Sequence, residues 1–218
     1  MPEISVVGGI DVLILCGGLG TRFREVREDI PKALAKVHGT PIINLLLDDL
    51  IAQGFGRFIL ASGYLSDQLE QHIKLRKDAE YVISHETEPL GTGGAIKFAE
   101  KYINSNIVLV LNGDSLCKID FHHFFQFHLN KEASLSLALS QSQETKDYGN
   151  VKLDNDQRVS AFHEKQTAQF GGLINAGVYF MQKEVLSFMP PNSKFSLEYD
   201  FFPTIIQGKE CFGYVVDS

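Results

Sequence analysis

The chain has 218 residues and a hydrophobic content of 44%, enough for one well-buried core. Lys and Arg number 20 against 27 Asp and Glu, a net charge of −7, which argues against broad, charge-driven nucleic-acid binding but allows a local basic pocket for a small anionic substrate. Cys16, Cys117 and Cys211 are far apart and lack CxxC spacing, so neither a disulfide framework nor a structural zinc site is expected and a reducing cytoplasm fits. The opening "MPEISVVGGIDVLILCGG" has no basic leader and no run long enough to span a bilayer, so neither export nor membrane insertion is expected.

In chain order, Val12 to Cys16 reads as a strand. Pro41 to Gln53 follows, with Ile42, Leu45, Leu46, Leu50 and Ile51 at helical spacing. Arg57 to Ala61 is a second strand. Ser66 to Leu75 is a helix for which Ser66 is the expected N-cap. Tyr81 to Ser84 is a short strand, and Thr92 to Tyr102 a helix opened by glycines. "IVLVL", Ile107 to Leu111, is a continuous apolar run, the pattern of a strand buried on both faces. The aromatic stretch "DFHHFFQFHLN" predicts a buried helix with His122, His123 and His128 at its margin rather than a metal cluster. Ser134 to Ser140, Asn150 to Leu153, Val159 to Glu164 and Leu173 to Phe180 read as extended, with "LDNDQR" a hairpin turn.

Strand and helix alternation predicts an α/β fold: a mostly parallel sheet covered by helices on both faces, with antiparallel additions in the second half. Ligands in such sheets sit beyond the carboxyl ends of the strands. Three loops leave strand ends: "CGGLGTRF", "HETEPLGTGG" and "NGDS". In the first, Gly17, Gly18 and Gly20 lack the spacing of a dinucleotide fingerprint, and "RFILASGY" does not end on an acid. The GK[ST] of a P-loop is also missing. What remains is a set of backbone N–H groups able to wrap a triphosphate, with Arg22 and Lys32 as cations, or a glycine-rich surface turn. Cys16, within this loop, reads as a small buried residue without a basic partner and not as a nucleophile.

"GGLGTRF", "PKALAKVHGTPII", "EPLGTGGAI", "LNGDS", "YGNVKLD", "FHEK", "GGLINAGVYF" and "FSLEYDFFP" occur in this order from Leu13 to about Pro203. The ordered set resembles the sugar-1-phosphate nucleotidyltransferase family, and "EPLGTGGAI" with "FSLEYD" resembles its D-glycero-D-manno-heptose 1-phosphate guanylyltransferases. The resemblance implies a Rossmann-like, three-layer fold in a single domain over 1–218, with a nucleotide-binding half over about 11–115 and a sugar-phosphate-binding half over about 116–218. It also implies a cytoplasmic, magnesium-dependent enzyme that joins an NTP to a sugar 1-phosphate and releases pyrophosphate. Such an enzyme would supply nucleotide-sugar for lipopolysaccharide, capsule or S-layer glycans. A homodimer is a family-level expectation only.

The implied chemistry explains the residue types. The sugar phosphate is already an anion, so catalysis is positioning and neutralisation of charge. By resemblance, Gly17, Gly18, Gly20 and Thr21 would offer N–H groups to the phosphates. Arg22 would stabilise the departing pyrophosphate, and Lys32 would hold the α-phosphate or the leaving group. Asp114 would bind Mg2+. Leu15 and Asn112 would flank the nucleoside, with Gly91 and Thr92 in the same nucleotide-binding set. Glu86 matches the base-reading position; a carboxylate accepts both donors of guanine's Watson–Crick edge, which points to GTP. On the acceptor side Lys165 would hold the sugar's phosphate, Glu164 and Asn175 would bond its hydroxyls, Gly149 would admit close backbone approach, and Tyr148, Ser196 and Glu198 would line the pocket. Taken singly, Lys165 reads as a surface lysine, while a turn residue at Asp114 and a turn cap at Asn175 stand as alternative readings. For Ser196 and Glu198, sugar contact and helix capping stand as equal readings.

One departure stands out. The family carries a second metal carboxylate in a "DIGTP"-like motif near the C-terminus, whereas this chain ends "CFGYVVDS", where Asp217 lies in a different context. Either the chain is truncated a few residues short of the motif or another group completes the metal site. The alternatives to a heptose 1-phosphate guanylyltransferase are a uridylyl- or cytidylyltransferase acting on a hexose or N-acetylmuramic acid 1-phosphate, and an impaired, nucleotide-sugar-binding regulatory protein.

Overall fold

The computed structural model describes residues 7–17, 30–142, 148–164 and 172–216. "DVLIL" forms β1 (Asp11–Leu15). Strands β2 (Lys36–Val37) and β3 (Thr40–Pro41) make a small hairpin whose turn residues, His38 and Gly39, both have positive φ, as a tight two-residue turn requires. Helix α1 (Ile42–Ala52) buries Ile43, Leu46, Leu47 and Leu50. Then come β4 (Arg57–Ser62), α2 (Ser66–Ile73), β5 (Glu80–His85), α3 (Gly91–Ala99), β6 (Ile107–Asn112) and α4 (Phe121–Asn130). The second half supplies β7 (Leu135–Gln141), β8 (Gly149–Leu153), β9 (Val159–Glu164) and β10 (Leu173–Gln182). A π-helical turn over Leu197–Phe201, the short helix α5 (Phe202–Ile205) and β11 (Cys211–Val215) follow.

The main sheet runs β11-β7-β10-β6-β1-β4-β5, with β8 bonded to β10 and β9 to β8. β1 is parallel to β4 and β6, β4 to β5, and β11 to β7. β10 is antiparallel to both β6 and β7, and β8 and β9 form an antiparallel hairpin. This is the expected mixed α/β architecture. Side-chain alternation divides the core into two layers. Leu13, Val108 and Val110 face α3 and the π-helical turn, whereas Val12, Ile14, Leu109 and Leu111 face α1, α2 and α4. The unbroken apolar run of β6 is thus buried on both faces, which is why it shows no polar alternation. No helix among the described residues is long and apolar enough to cross a membrane.

Two local expectations are corrected. Ser66 is the first helical residue of α2 and not its cap; Leu65 occupies the cap position at φ 57°, and the Ser66 hydroxyl meets that of Ser62 at 2.7 Å. The aromatic helix forms as expected, capped by Asp120, whose Oδ1 accepts from His123 N–H at 2.9 Å. His128 lies fully buried rather than at the margin, its Nδ1 2.8 Å from Ser136 Oγ and its ring beside Phe180. The helix presents position 128 to the sheet, and the Ser136 hydroxyl makes a polar ring tolerable there.

Burial lowers the His128 pKa from 6.5 to about 4. Because the folded value is the lower one, the unfolded chain binds a proton first as pH falls, and the folded state loses stability across the window from 6.5 down to about 4. The full loss is about 3 kcal/mol. Urea unfolding at pH 7, 5.5 and 4.5 should show it, and His128→Asn should flatten the dependence; an equal slope in both proteins would remove His128 as its source.

Candidate active site

β1 and β6 lie side by side with Leu15 opposite Asn112. Strand order reverses between them, so the chain leaves their carboxyl ends in opposite directions and opens a crevice. The return after β6 is tight: Gly113 N–H donates to Leu15 O at 2.9 Å, and a Cβ on Gly113 would lie 2.9 Å from that oxygen and 3.0 Å from Cys16 Sγ. Asp114 follows. Its carboxylate pairs with Lys32 Nζ, which the 3-10 turn Lys32–Leu34 brings from the other side of the crevice. Both side chains keep more than a third of their surface exposed, at 39% and 36%. Leu15, Cys16, Lys32, Thr92, Asn112 and Asp114 line a cavity of about 180 Å³ here. Burial pushes the Cys16 thiol up to about 12, with the Asp114 charge adding to it, so Cys16 is not a nucleophile.

Glu86, at the end of β5, is buried against two glycines. A Cβ on Gly17 would lie 2.5 Å from Glu86 Oε1, and one on Gly63 2.9 Å from the same oxygen. Leu90 N–H donates to Glu86 Oε2 at 3.3 Å. Burial raises the Glu86 pKa, and the Leu90 amide acts in the opposite direction. Glu86 therefore reaches from the end of β5 to Gly17, where the chain leaves β1.

The glycines of "LGTGG" have an occupant from within the chain. Gly93 and Gly94 N–H donate to Phe195 O at 3.2 and 3.3 Å, and Phe195 N–H donates to Leu90 O at 3.0 Å. A Cβ on Gly91, at φ +75°, would lie 2.5 Å from Phe195 O; one on Gly93 would strike the Phe195 ring, and one on Gly94 would lie 2.6 Å from Ser193 O. The first turn of α3 is a docking face for Ser193–Glu198. Thr92 belongs to both sides: it lines the cavity and also accepts from Leu197 N–H at 2.8 Å and donates to Glu198 Oε2 at 2.7 Å. Ser196 caps the π-helical turn, its hydroxyl accepting from Glu198 and Tyr199 N–H at 3.2 Å and donating to Glu198 Oε2 at 2.8 Å.

On the other side of β6, β10 is irregular between Asn175 and Tyr179. Asn175 Nδ2 donates to the buried Tyr179 hydroxyl at 2.7 Å, and Gly177 N–H donates to Asn175 Oδ1 at 3.1 Å. Burial raises the Tyr179 phenol well above its usual range, and the charges of Glu198 and Glu164 add to the rise, so both carboxylates bear on this spot. Gly177, at φ +73°, packs on Asn112; a Cβ there would fall 2.4 Å from Asn112 Nδ2. The space at Gly149 is taken by the chain itself, with Glu164 Oε2 and Phe162 Cζ each 2.7 Å from a Cβ placed there.

The chain resembles known proteins over most of its length. Residues 11–218 match the family model described as nucleotidyl transferase. The chain belongs to this family. D-glycero-alpha-D-manno-heptose 1-phosphate guanylyltransferase of Aneurinibacillus thermoaerophilus is 36% identical over 210 residues, covering 96% of this chain and 90% of that protein. The protein of the same name from Campylobacter jejuni is 38% identical over 192 residues, covering 87% and 83%. The crystal structure of HddC from Yersinia pseudotuberculosis complexed with GMP-PN superimposes with a TM-score of 0.83 at 35% identity, covering 95% of this chain and 90% of that one.

In this nucleotidyl transferase, Leu15, Lys32, Thr92, Asn112 and Asp114 meet at one cavity. Ser196 caps the π-helical turn, and Glu198 is an acid in its first turn. Gly18, Gly20, Thr21, Arg22, Lys165 and Asp217 lie outside the described residues. Among the described residues no three His, Cys, Asp or Glu side chains are grouped to hold a metal. Gly63, Gly113, Gly177 and Tyr179 were not anticipated. Gly63 and Gly113 follow strand runs directly, a signal of close backbone approach, whereas Tyr179 reads in sequence as an ordinary core aromatic.

Gly91→Ala should undock Ser193–Glu198 from α3, since both a positive φ and a backbone oxygen oppose the methyl. A stability loss of roughly 1–3 kcal/mol is expected. Hydrogen exchange should be faster at the Gly93 and Gly94 amides. Unchanged exchange there would mean that the contact with Phe195 does not hold the turn.

Proposed function

We propose that the protein transfers a guanylyl group from GTP to a sugar 1-phosphate, with D-glycero-D-manno-heptose 1-phosphate as the acceptor, releasing pyrophosphate. The observation that carries this reading is the placement of Lys32 and Asp114 across the β1–β6 crevice, in a chain whose relatives include named heptose 1-phosphate guanylyltransferases. The half at about 11–115 holds the nucleotide and that at about 116–218 the sugar phosphate. A cytoplasmic setting suits three cysteines, Cys16, Cys117 and Cys211, whose spacing offers no disulfide framework.

In the proposed reaction a phosphate oxygen of the sugar 1-phosphate attacks the α-phosphorus. A new P–O bond forms, the bond to the bridging oxygen breaks, and pyrophosphate leaves with that electron pair. The attacking oxygen is already anionic, so no general base is needed. Lys32 neutralises charge on the α-phosphate or the leaving group, exchanging its Asp114 partner for phosphate oxygens. Gly17, Gly18, Gly20 and Thr21 cradle the triphosphate, and Arg22 balances the departing charge. Lys165 holds the acceptor's phosphate. Leu15, Asn112, Gly91 and the backbone at Thr92 shape the nucleoside side. Glu86 accepts from guanine, and Glu164, Asn175 and Glu198 face the sugar.

Asp114 would hold the divalent cation. Its carboxylate is accessible at the cavity and ungrouped with other acids among the described residues, which suits Mg2+, an ion that takes one or two carboxylates and completes its shell with water and phosphate oxygens. When bound, it would neutralise phosphate charge.

Pyrophosphate release, measured with Mg2+, each NTP and a panel of heptose, mannose, glucose and N-acetylmuramic acid 1-phosphates, tests the reading. Release with GTP and heptose 1-phosphate is expected; no release with any pair would overturn it. Lys32→Ala should lower kcat by about 10²–10³-fold. Glu86→Gln should erode the preference for GTP over UTP, and an unchanged preference would remove Glu86 as the base reader.

A further inference from the structure

Thr92 sits on the wall of the nucleotide cavity, yet its hydroxyl is committed elsewhere. A threonine hydroxyl has one donor. Here it goes to Glu198 Oε2 at 2.7 Å, across 106 positions of chain, while the oxygen accepts from Leu197 N–H at 2.8 Å. Phosphate oxygens only accept, so the side chain of Thr92 could serve a phosphate only by releasing Glu198. The Ser196 hydroxyl falls on the same carboxylate oxygen at 2.8 Å. Two hydroxyls on one oxygen fix the plane of the Glu198 carboxylate and leave Oε1 as the acceptor for a hydroxyl of the substrate. Glu198 stands in a π-helical turn, a feature frequent at functional sites, and lies close enough to the Asn175–Tyr179 pair to act on the Tyr179 phenol.

We propose that Thr92 is a positioning residue for the acceptor: its hydroxyl sets Glu198 toward the sugar of the sugar 1-phosphate, and the first turn of α3 thereby joins the two substrate subsites. The inference rests on the transferase reading above and moves Thr92's side chain from the nucleotide to the sugar.

The test is steady-state kinetics with GTP and D-glycero-D-manno-heptose 1-phosphate on Thr92→Val, Thr92→Ser, Glu198→Gln and the Thr92→Val/Glu198→Gln double variant, each checked for folding by thermal unfolding. Thr92→Val should raise KM for the sugar phosphate by about 10-fold or more, the effect of losing a hydrogen bond to a charged group. KM for GTP should stay within about twofold, and Thr92→Ser should restore the wild-type values. In the Glu198→Gln background, Thr92→Val should add little, because both act on one interaction. A rise in KM for GTP with the sugar KM unmoved, or additive effects in the double variant, would overturn the proposal. If Thr92→Val does not fold, Ser196→Ala reaches the same oxygen and should raise the sugar KM alone; an unchanged sugar KM would count against the proposal equally. Wild-type protein without turnover on this pair would overturn the transferase reading and this inference together, whereas active wild type with the contrary variant pattern would overturn this inference only.

Discussion

The parallel pairing of β1 with β6 governs what the rest of the molecule can do. From β1 the chain winds to β4 and β5 on one side and returns to β6 on the other, so the loops after β1 and β6 part and leave a crevice. Register places Leu15 level with Asn112, and the segments that follow emerge together. Burial on both faces holds that register: a slip of one residue would exchange the side chains that face α3 with those that face α1, α2 and α4. Lys32 and Asp114 can meet only because the strands end at the same height.

Around this frame, glycines mark where distant parts of the chain touch. Gly17 and Gly63 make room for the Glu86 carboxylate, Gly91, Gly93 and Gly94 for Ser193 to Phe195, and Gly177 for the Asn112 amide. A glycine-rich stretch after a strand invites a phosphate-binding interpretation, because exposed N–H groups attract anions. In "LGTGG" the N–H groups of Gly93 and Gly94 are satisfied by a carbonyl of the same chain. What the motif provides is close approach, which lets a segment about a hundred residues later bring Glu198 against Thr92.

Charge is distributed to match the chemistry proposed. The chain is acidic as a whole, yet Lys32 stands at the crevice, while Glu86 is buried beside Gly17 and Gly63 and Glu198 is bonded to Thr92 on the cavity wall. Cations suit phosphates; carboxylates suit the N–H and O–H donors of a base and a sugar. The Lys32–Asp114 pair is too exposed to matter much for stability, where such pairs contribute about 0–1 kcal/mol. Its significance is that both charges remain available to a ligand. By contrast, the buried carboxylate of Asp11 accepts from Ser105 and Asn104 N–H and pairs with Arg57 at 2.7 Å, tying the start of β1 to β4 and to the approach to β6.

The amino-acid sequence by itself determined the alternation of β1 and β4 to β10 with α1 to α4, the two-faced burial of "IVLVL" and the "LDNDQR" turn, but not the β2–β3 hairpin or the edge strand β11. These follow from short-range preferences and hydrophobic period, which act over a few residues. Ordered motifs also marked Lys32, Asp114 and Glu86, since strand-end loops are few. The tertiary structure alone decided how side chains were committed. It gave the Ser66 hydroxyl to Ser62, buried His128 beside Ser136, filled the space at Gly149 with Glu164 and Phe162, and joined Thr92 to Glu198. Each of these depends on which groups packing brings within about 3 Å, a condition that no local pattern encodes. Where Ser196 and Glu198 read equally as helix cap and sugar contact, the fold made Ser196 the cap and bonded the Glu198 carboxylate to Thr92, a residue of the cavity wall.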